Sequence, residues 1–287
     1  MSTDAHTELI RAAVASPAAG GATGTRRAAM TTDDHGDPRT RFKRPTAWRL
    51  TAVELRKTVD TRAGRWLLIA AAAIAVAVGI ARGLTGDVAD RTFAGALELT
   101  LLPFGILLPV MGILLMTGEW SQRTALATYA LVPERRRITA AKVRAGLLIG
   151  LAAAVASVGA AAIGNAAGIA AGDADGSWAL SASDVGQALA AQELNLLMGL
   201  GFGLLLVSPA LAIVAYFALP TVFSILGEMI SSLDDATRWI APNEVFDPLT
   251  TASASGDDWA RIAVCSALWI VLPLVVGSIR THRREVK

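Results

Sequence analysis

Two long apolar runs joined by a charged connector constrain this chain more than any other feature. Gly95 to Met116 carries Glu98 as its one charged residue, and Val143 to Ala171 carries Arg144 as its one. Between them lies Thr117 to Lys142, TGEWSQRTALATYALVPERRRITAAK. A bilayer core of about 30 Å takes roughly 20 apolar residues per helix, so both runs are long enough to span and the connector must lie in water. Its Arg123, Arg135, Arg136, Arg137 and Lys142 outweigh Glu119 and Glu134, which by the positive-inside rule places it in the cytoplasm. Leu126 to Val132 is apolar enough to bury one face of a short helix, and a soluble partner is expected there.

Composition agrees. Of 287 residues, 53% are hydrophobic and 17% charged, a balance that belongs to polytopic membrane proteins. The net charge of +2 conceals an asymmetry, because Arg82, Arg91, Arg238 and Arg261 are the basic residues that fall on or near the outer side. Membrane topology accounts for the basic pI, and no nucleic-acid partner is expected. Cys265 is the one cysteine, which excludes an intrachain disulfide or a thiolate metal cluster. His6, His35 and His282 lie near the termini, so neither haem ligation nor a buried imidazole relay is expected, and no metal site is assigned.

Taken in order, Met1 to about Pro45 is rich in Ala, Thr, Gly, Asp and Arg without apolar periodicity and reads as a disordered cytoplasmic tail. No apolar core of a signal peptide precedes Trp66, and Met30 is a candidate alternative start. Residues 46–65 alternate Trp48, Leu50, Val53, Leu55 and Val59 with Arg49, Arg56, Lys57, Arg62 and Arg65, the pattern of a helix lying in the membrane interface. Residues 66–280 then hold six expected spans: Trp66 to Ala81, Gly95 to Met116, Val143 to Ala171, Ala188 to Val207, Pro209 to Ile230 and Ile262 to Ile279. Pro103, Pro109, Gly105 and Gly112 should kink the second and let neighbours approach. Ser208 and Pro209 leave room only for a tight cytoplasmic hairpin. Ser231 to Trp259 carries six acids and one Arg, yet its middle, around Trp239, Ile240, Val245, Phe246 and Leu249, is apolar enough to form short helices dipping into the outer leaflet. Residues 281–287 form a basic tail, and both termini are expected in the cytoplasm.

The connector reads Glu119-Trp-Ser-Gln-Arg-Thr124, then Leu131-Val-Pro-Glu-Arg-Arg136, then Ala141-Lys142. In that order it resembles the loop between the second and third spans of ABC-2-type ABC transporter permeases, of a six-span bacterial, actinobacterial-like kind. Pro133 and Arg136 fill the Pro-x-x-Arg of that pattern. Glu54-Leu-Arg-Lys57, followed by Thr61 and Arg62, looks like the family's elbow helix, and Trp239 to Phe246 is similar to its re-entrant segment. The resemblance covers about Trp48 to Arg280. It implies an all-α six-span permease with an interfacial elbow helix and a cytoplasmic coupling helix in a bacterial inner or plasma membrane. It also implies two copies of a separate ATPase subunit and a second permease chain, as homodimer or heterodimer, surrounded by membrane lipids. Glu119, Arg123, Thr124, Pro133, Arg136, Arg137 and Lys142 would couple to the ATPase, and Glu54, Lys57 and Arg62 would belong to the elbow. The chain has no G-x-x-x-x-G-K-[ST] loop, so it is read as a non-catalytic subunit that binds no cofactor, with ATP and Mg expected on the partner. A hydrophobic or amphipathic cargo, such as a drug, peptide antibiotic or lipid, is the family expectation.

Glu98, Glu193 and Glu228 fall near outer helix ends by position and form a candidate acidic vestibule, although such residues commonly just reach interfacial water. Asn165 and Asn195 suit interhelical hydrogen bonds. Two other readings compete: a non-transporting scaffold or sensor that recruits a cytoplasmic protein through the same connector, and an ion-coupled secondary carrier. The carrier would need a midplane ion site in matched half-helices, and the sequence displays neither inverted repeats nor a midplane acid pair. No clustered His, Cys and carboxylates point to a membrane enzyme.

Overall fold

The computed structural model describes residues 45–85, 91–122, 134–172, 177–230, 232 and 234–283. These residues form helices and no strand. In chain order they are α1 (Ala47–Asp60), α2 (Arg62–Thr85), α3 (Phe93–Ser121), α4 (Arg135–Ala170), α5 (Ala182–Leu206), α6 (Pro209–Met229), α7 (Asp234–Ile240), α8 (Pro242–Val245), α9 (Asp247–Thr250) and α10 (Gly256–Ser266). A π-helical segment (Ala267–Val271) and α11 (Leu272–Arg283) complete them. Six helices, with α10 to α11 counted as one, are long and apolar enough to cross a membrane. The chain therefore has the architecture of a multi-pass membrane protein.

The expected spans are all present, with different ends. The first begins at Arg62, directly after α1 breaks at Thr61, so Arg62 to Arg65 belong to the span rather than to the elbow. The third begins at Arg135, because Arg135 to Lys142 are good helix formers that continue the apolar run without a Gly or Pro to stop them. The fourth begins at Ala182, where Ser181 and Asp184 form a reciprocal capping box. The sixth runs on to Arg283, past the expected boundary at 280.

α3 is the central helix. Of its apolar window 61% is buried, against 22% for α2 and for α6. Phe104, Leu108 and Met111 of α3 meet Ala71 and Ala75 of α2, Ala145 and Ile149 of α4, and Leu196 and Leu200 of α5 in one core. A second core joins α5, α6 and the sixth span through Phe202, Tyr216 and Trp269, closed by Val245, Phe246 and Leu249 from the short helices. With little hydrophobic drive between helices in lipid, close backbone approach supplies the packing. At the crossing of α2 and α4, a Cβ on Gly164 would stand 2.2 Å from the Gly79 carbonyl oxygen, so only glycine fits.

The apolar middle of the last connecting segment does form short helices, α7 to α9. They are pinned from the sixth span, where Trp269 Nε1 donates to the Ile240 carbonyl at 2.7 Å. Trp269 sits in the π-helical segment, in which Leu272 N–H reaches back five residues to the Ala267 carbonyl. Pro273 follows and has no N–H to give to Trp269, a local reason for the widened turn. The α5–α6 hairpin is as tight as expected: Val207 takes a left-handed conformation at φ 57° and Pro209 opens α6.

A charged clasp at the connector-bearing end

One end of the bundle gathers α1, the end of α3, the start of α4, the α5–α6 turn and the end of α11. Arginines tie these together by their donors to main-chain carbonyls: Arg135 to Thr281, Arg137 to Pro45, and Arg280 to Leu205. Each carbonyl lies at or beyond a helix terminus or in its last turn, where acceptors lack intrahelical partners.

α1 brings its own chemistry. Thr46 caps its start by accepting from Arg49 N–H. Thr51, Glu54 and Thr58 recur at helical spacing on its buried face, while Trp48, Val53, Arg56 and Val59 are exposed. The Thr51 and Thr58 hydroxyls donate to carbonyls one turn back, Ala47 and Glu54, which satisfies those polar atoms within the helix. Thr61 then turns the chain, and its hydroxyl accepts from Gly64 N–H at 3.1 Å to cap α2. A side chain at Gly64 would meet the Thr58 carbonyl at 2.0 Å, so the bend requires glycine there.

The buried face of α1 delivers Glu54 into a cluster of four charges. Lys57 Nζ donates to Glu54 Oε1 at 2.7 Å and to Glu119 Oε1 at 3.1 Å. Lys142 Nζ lies 3.0 Å from Glu54 Oε2 and 3.7 Å from Glu119 Oε1. It also donates to the Leu115 carbonyl of α3 at 2.8 Å. Glu54, Glu119 and Lys142 are 5%, 6% and 5% exposed. Two carboxylates and two ammonium groups sum to zero, which is the condition for burying any of them without the several kcal/mol penalty of a lone ion. At Lys57 partial burial works against the charged form. The hydrogen bond and charge of Glu54, then those of Glu119, outweigh it and hold the ammonium above the ordinary lysine value.

Four residues proposed from sequence thus meet at one point, although they were read there as two separate sets, elbow and coupling. Glu119 and Lys142 face inward, not toward solvent, and flank the connector as its internal anchors. Arg137 pairs with Glu134 at 4.0 Å besides reaching Pro45. Arg136 is exposed on the first turn of α4, and Arg62 is exposed at the start of α2. Arg123, Thr124, Pro133 and the expected coupling helix Leu126 to Val132 lie outside the described residues.

The acidic trio does not form one mouth. Glu98 and Glu228 are exposed near the start of α3 and the end of α6. Glu193 is near the midpoint of α5, since that helix starts at Ala182 rather than Ala188, and its half-buried carboxylate lies against Gly150 of α4. Gly150 is about 12 Å along α4 from Lys142 at 1.5 Å per residue, well inside the span.

The polar feature that the sequence reading missed is a cavity of about 320 Å³ between α3, α5, α6 and the short helices, lined by Gln192, Asn195, Tyr216, Thr221, Asn243 and Asp247 among others. Gln192 Nε2 donates to the Leu101 carbonyl at 3.2 Å, and Asn195 Oδ1 accepts from Tyr216 OH at 3.0 Å. The signal was the pairing of Gln192 and Asn195 three residues apart, which puts both on one helix face. Asn195 makes its expected interhelical bond, whereas Asn165 donates to the Ser177 carbonyl instead. No protein-family model matches the chain, and a search of curated proteins returns no match either.

Proposed function

We propose that this chain is the membrane-spanning permease subunit of an ATP-driven transporter of the ABC-2 type, exporting a hydrophobic or amphipathic compound. Six apolar helices are compatible with a permease, and the observation that carries the finer reading is the clasp of Glu54, Lys57, Glu119 and Lys142. It locks both roots of the connector to the elbow helix. A subunit that pushed on the connector from the cytoplasm would therefore move α1, α3 and α4 together instead of bending a loop. Two copies of a separate ATPase would supply that push, two permease chains would form the path, and ATP and Mg would stay on the partner. Arg123, Thr124, Pro133, Arg136 and Arg137 are the contact residues in this reading. Glu119 and Lys142 position the connector from beneath, and the polar cavity around Gln192, Asn195 and Tyr216 is the candidate cargo path. The connector side is the cytoplasm by its excess of basic residues.

The test is purification of the native complex in mild detergent, identification of the subunits, and an assay of vanadate-sensitive ATP hydrolysis and transport. The expected outcome is a subunit with a phosphate-binding loop. Transport should stop in Arg136→Glu/Arg137→Glu while the folded permease still purifies. An intact complex without an ATPase would overturn the proposal in favour of a scaffold or sensor.

One observation favours a second reading as an ion-coupled carrier: Glu193, well inside α5, has a buried carboxylate oxygen without a hydrogen-bond partner among the described residues. Intramembrane acids of this kind mark ion paths. Transport driven by a proton gradient without ATP, and lost in Glu193→Gln, would select that reading.

A further inference from the structure

From the groove between the start of α4 and the end of α11, we infer a binding site for one anionic glycerophospholipid at the connector-bearing end of the bundle. The groove has a volume of about 860 Å³, within the range of about 300–1,000 Å³ typical of small-molecule sites. One wall is the α4 face on which Arg136, Ala140, Val143 and Arg144 recur at helical spacing. The other is α11, with Leu274, Val275 and Ile279, and Leu204 of α5 forms the buried floor.

The groove is divided by polarity from wall to wall, with both arginines on α4 and the aliphatic Leu274, Val275 and Ile279 on α11. Arg136 and Arg144 stand on one wall about 12 Å apart along the helix at 1.5 Å per residue, and among the described residues no acid shares the lining. Arg144 Nε donates to the Ala140 carbonyl at 3.1 Å, which holds its guanidinium against the α4 surface. Guanidinium groups bind phosphate oxygens through paired N–H donors, and basic pockets between spans take acidic lipid headgroups. Thr139 and Ser278 add hydroxyls beside them. Val275 and Ile279 remain about half exposed, at 50% and 48%, an apolar track suited to an acyl chain.

Two features keep the groove open. Gly277 brings α11 so close to α5 that a Cβ there would stand 2.8 Å from the Leu204 backbone. At the same end the Arg135 side chain bridges α4 to the Thr281 carbonyl instead of the helices packing directly. The two arginines favour an anionic headgroup over a zwitterionic one, and the apolar track takes the acyl chain. The site does not require ATP-driven transport, but it shares Arg136 with the proposed ATPase contact, so it is tested on the permease without the ATPase.

The experiment uses the full chain alone in nanodiscs containing phosphatidylglycerol and phosphatidylcholine, followed by native mass spectrometry of the released protein. Wild type should retain phosphatidylglycerol preferentially, and Arg136→Ala/Arg144→Ala should lower that retention at least tenfold. Arg49→Ala/Arg56→Ala, which removes the same charge from α1, should leave it unchanged. Equal retention in the groove variant, equal retention of both lipids by wild type, or equal loss in the α1 variant would overturn the site. A second measurement needs no variant. A phosphatidylglycerol analogue with a photoreactive acyl chain should label α11 between Leu274 and Ile279, and labelling confined to other helices would overturn it as well.

Discussion

Lys142, two turns inside α4, lies 3.0 Å from Glu54 of α1, and both side chains are buried. Eighty-eight positions of sequence separate them, so the contact exists only when α1 has folded back over the root of the connector. Removing one partner of such a buried set strands the other, at about 3–5 kcal/mol. Lys142→Met should lower stability by about 3 kcal/mol and leave Glu54 and Glu119 facing one lysine. Glu54→Gln/Lys142→Met should be more stable than Lys142→Met alone, because Lys57 and Glu119 then balance at 3.1 Å. Thermal unfolding in detergent reads both, and additive losses would contradict the neutral-cluster account.

The same cluster fixes a pH dependence. Lys57 has a folded-state pKa above its ordinary value. Its favourable contribution is then fully present below the unfolded lysine pKa of about 10.4 and fades as pH rises through the higher folded value. The stability difference between wild type and Lys57→Met should therefore be flat from neutral pH to about 9 and shrink above about 10.5. A difference that already falls between pH 6 and 8 would point to another group.

The six spans were legible because long, predominantly apolar runs have few alternatives in water or lipid, even where, as from Trp66 to Ala81, the run falls short of about 18 residues. Their ends were less so. The start of α4 at Arg135 was hidden because arginines read as connector by charge although they are good helix formers. The true start of α5 was hidden because Ser181 and Asp184 looked like outer loop, when together they cap a helix. The late start expected at Ala188 placed Glu193 at the outer mouth, whereas the start at Ala182 puts it in the interior. The clasp was half legible: Glu54, Lys57, Glu119 and Lys142 were each singled out, but only tertiary packing could show that two sets were one. Gln192 and Tyr216 carried no charge to draw notice, and their cavity depends on how α8 and α9 fold over it.

Val207 ends α5 in a left-handed conformation, φ 57°, with its N–H bonded to the Gly203 carbonyl at 3.0 Å. For a β-branched residue that conformation costs about 1–2 kcal/mol, which glycine avoids. Part of the gain is offset by the larger chain entropy that glycine loses on folding, about 0.5–1 kcal/mol. Val207→Gly should therefore stabilise the protein by about 0.5–1 kcal/mol, read as a raised unfolding midpoint. Val207→Pro should do the reverse, since proline cannot take positive φ and removes the N–H.

Gly150 and Gly164 both lie on the buried side of α4, yet they should respond differently to alanine. At Gly164 the new Cβ would meet the Gly79 carbonyl at 2.2 Å, a backbone atom that yields only if α2 and α4 separate. At Gly150 it would meet the Glu193 carboxylate at 2.7 Å, the far end of a flexible side chain that can turn aside. Overpacking without an escape costs about 1–3 kcal/mol, so Gly164→Ala should destabilise by that amount and Gly150→Ala by about 1 kcal/mol at most. Adding Glu193→Ala should rescue Gly150→Ala and leave Gly164→Ala as impaired as before. If the carboxylate is instead held fixed against α4, Gly150→Ala will be as damaging as Gly164→Ala, so the single variants separate the two cases and the double variants test that the Glu193 carboxylate is the obstacle.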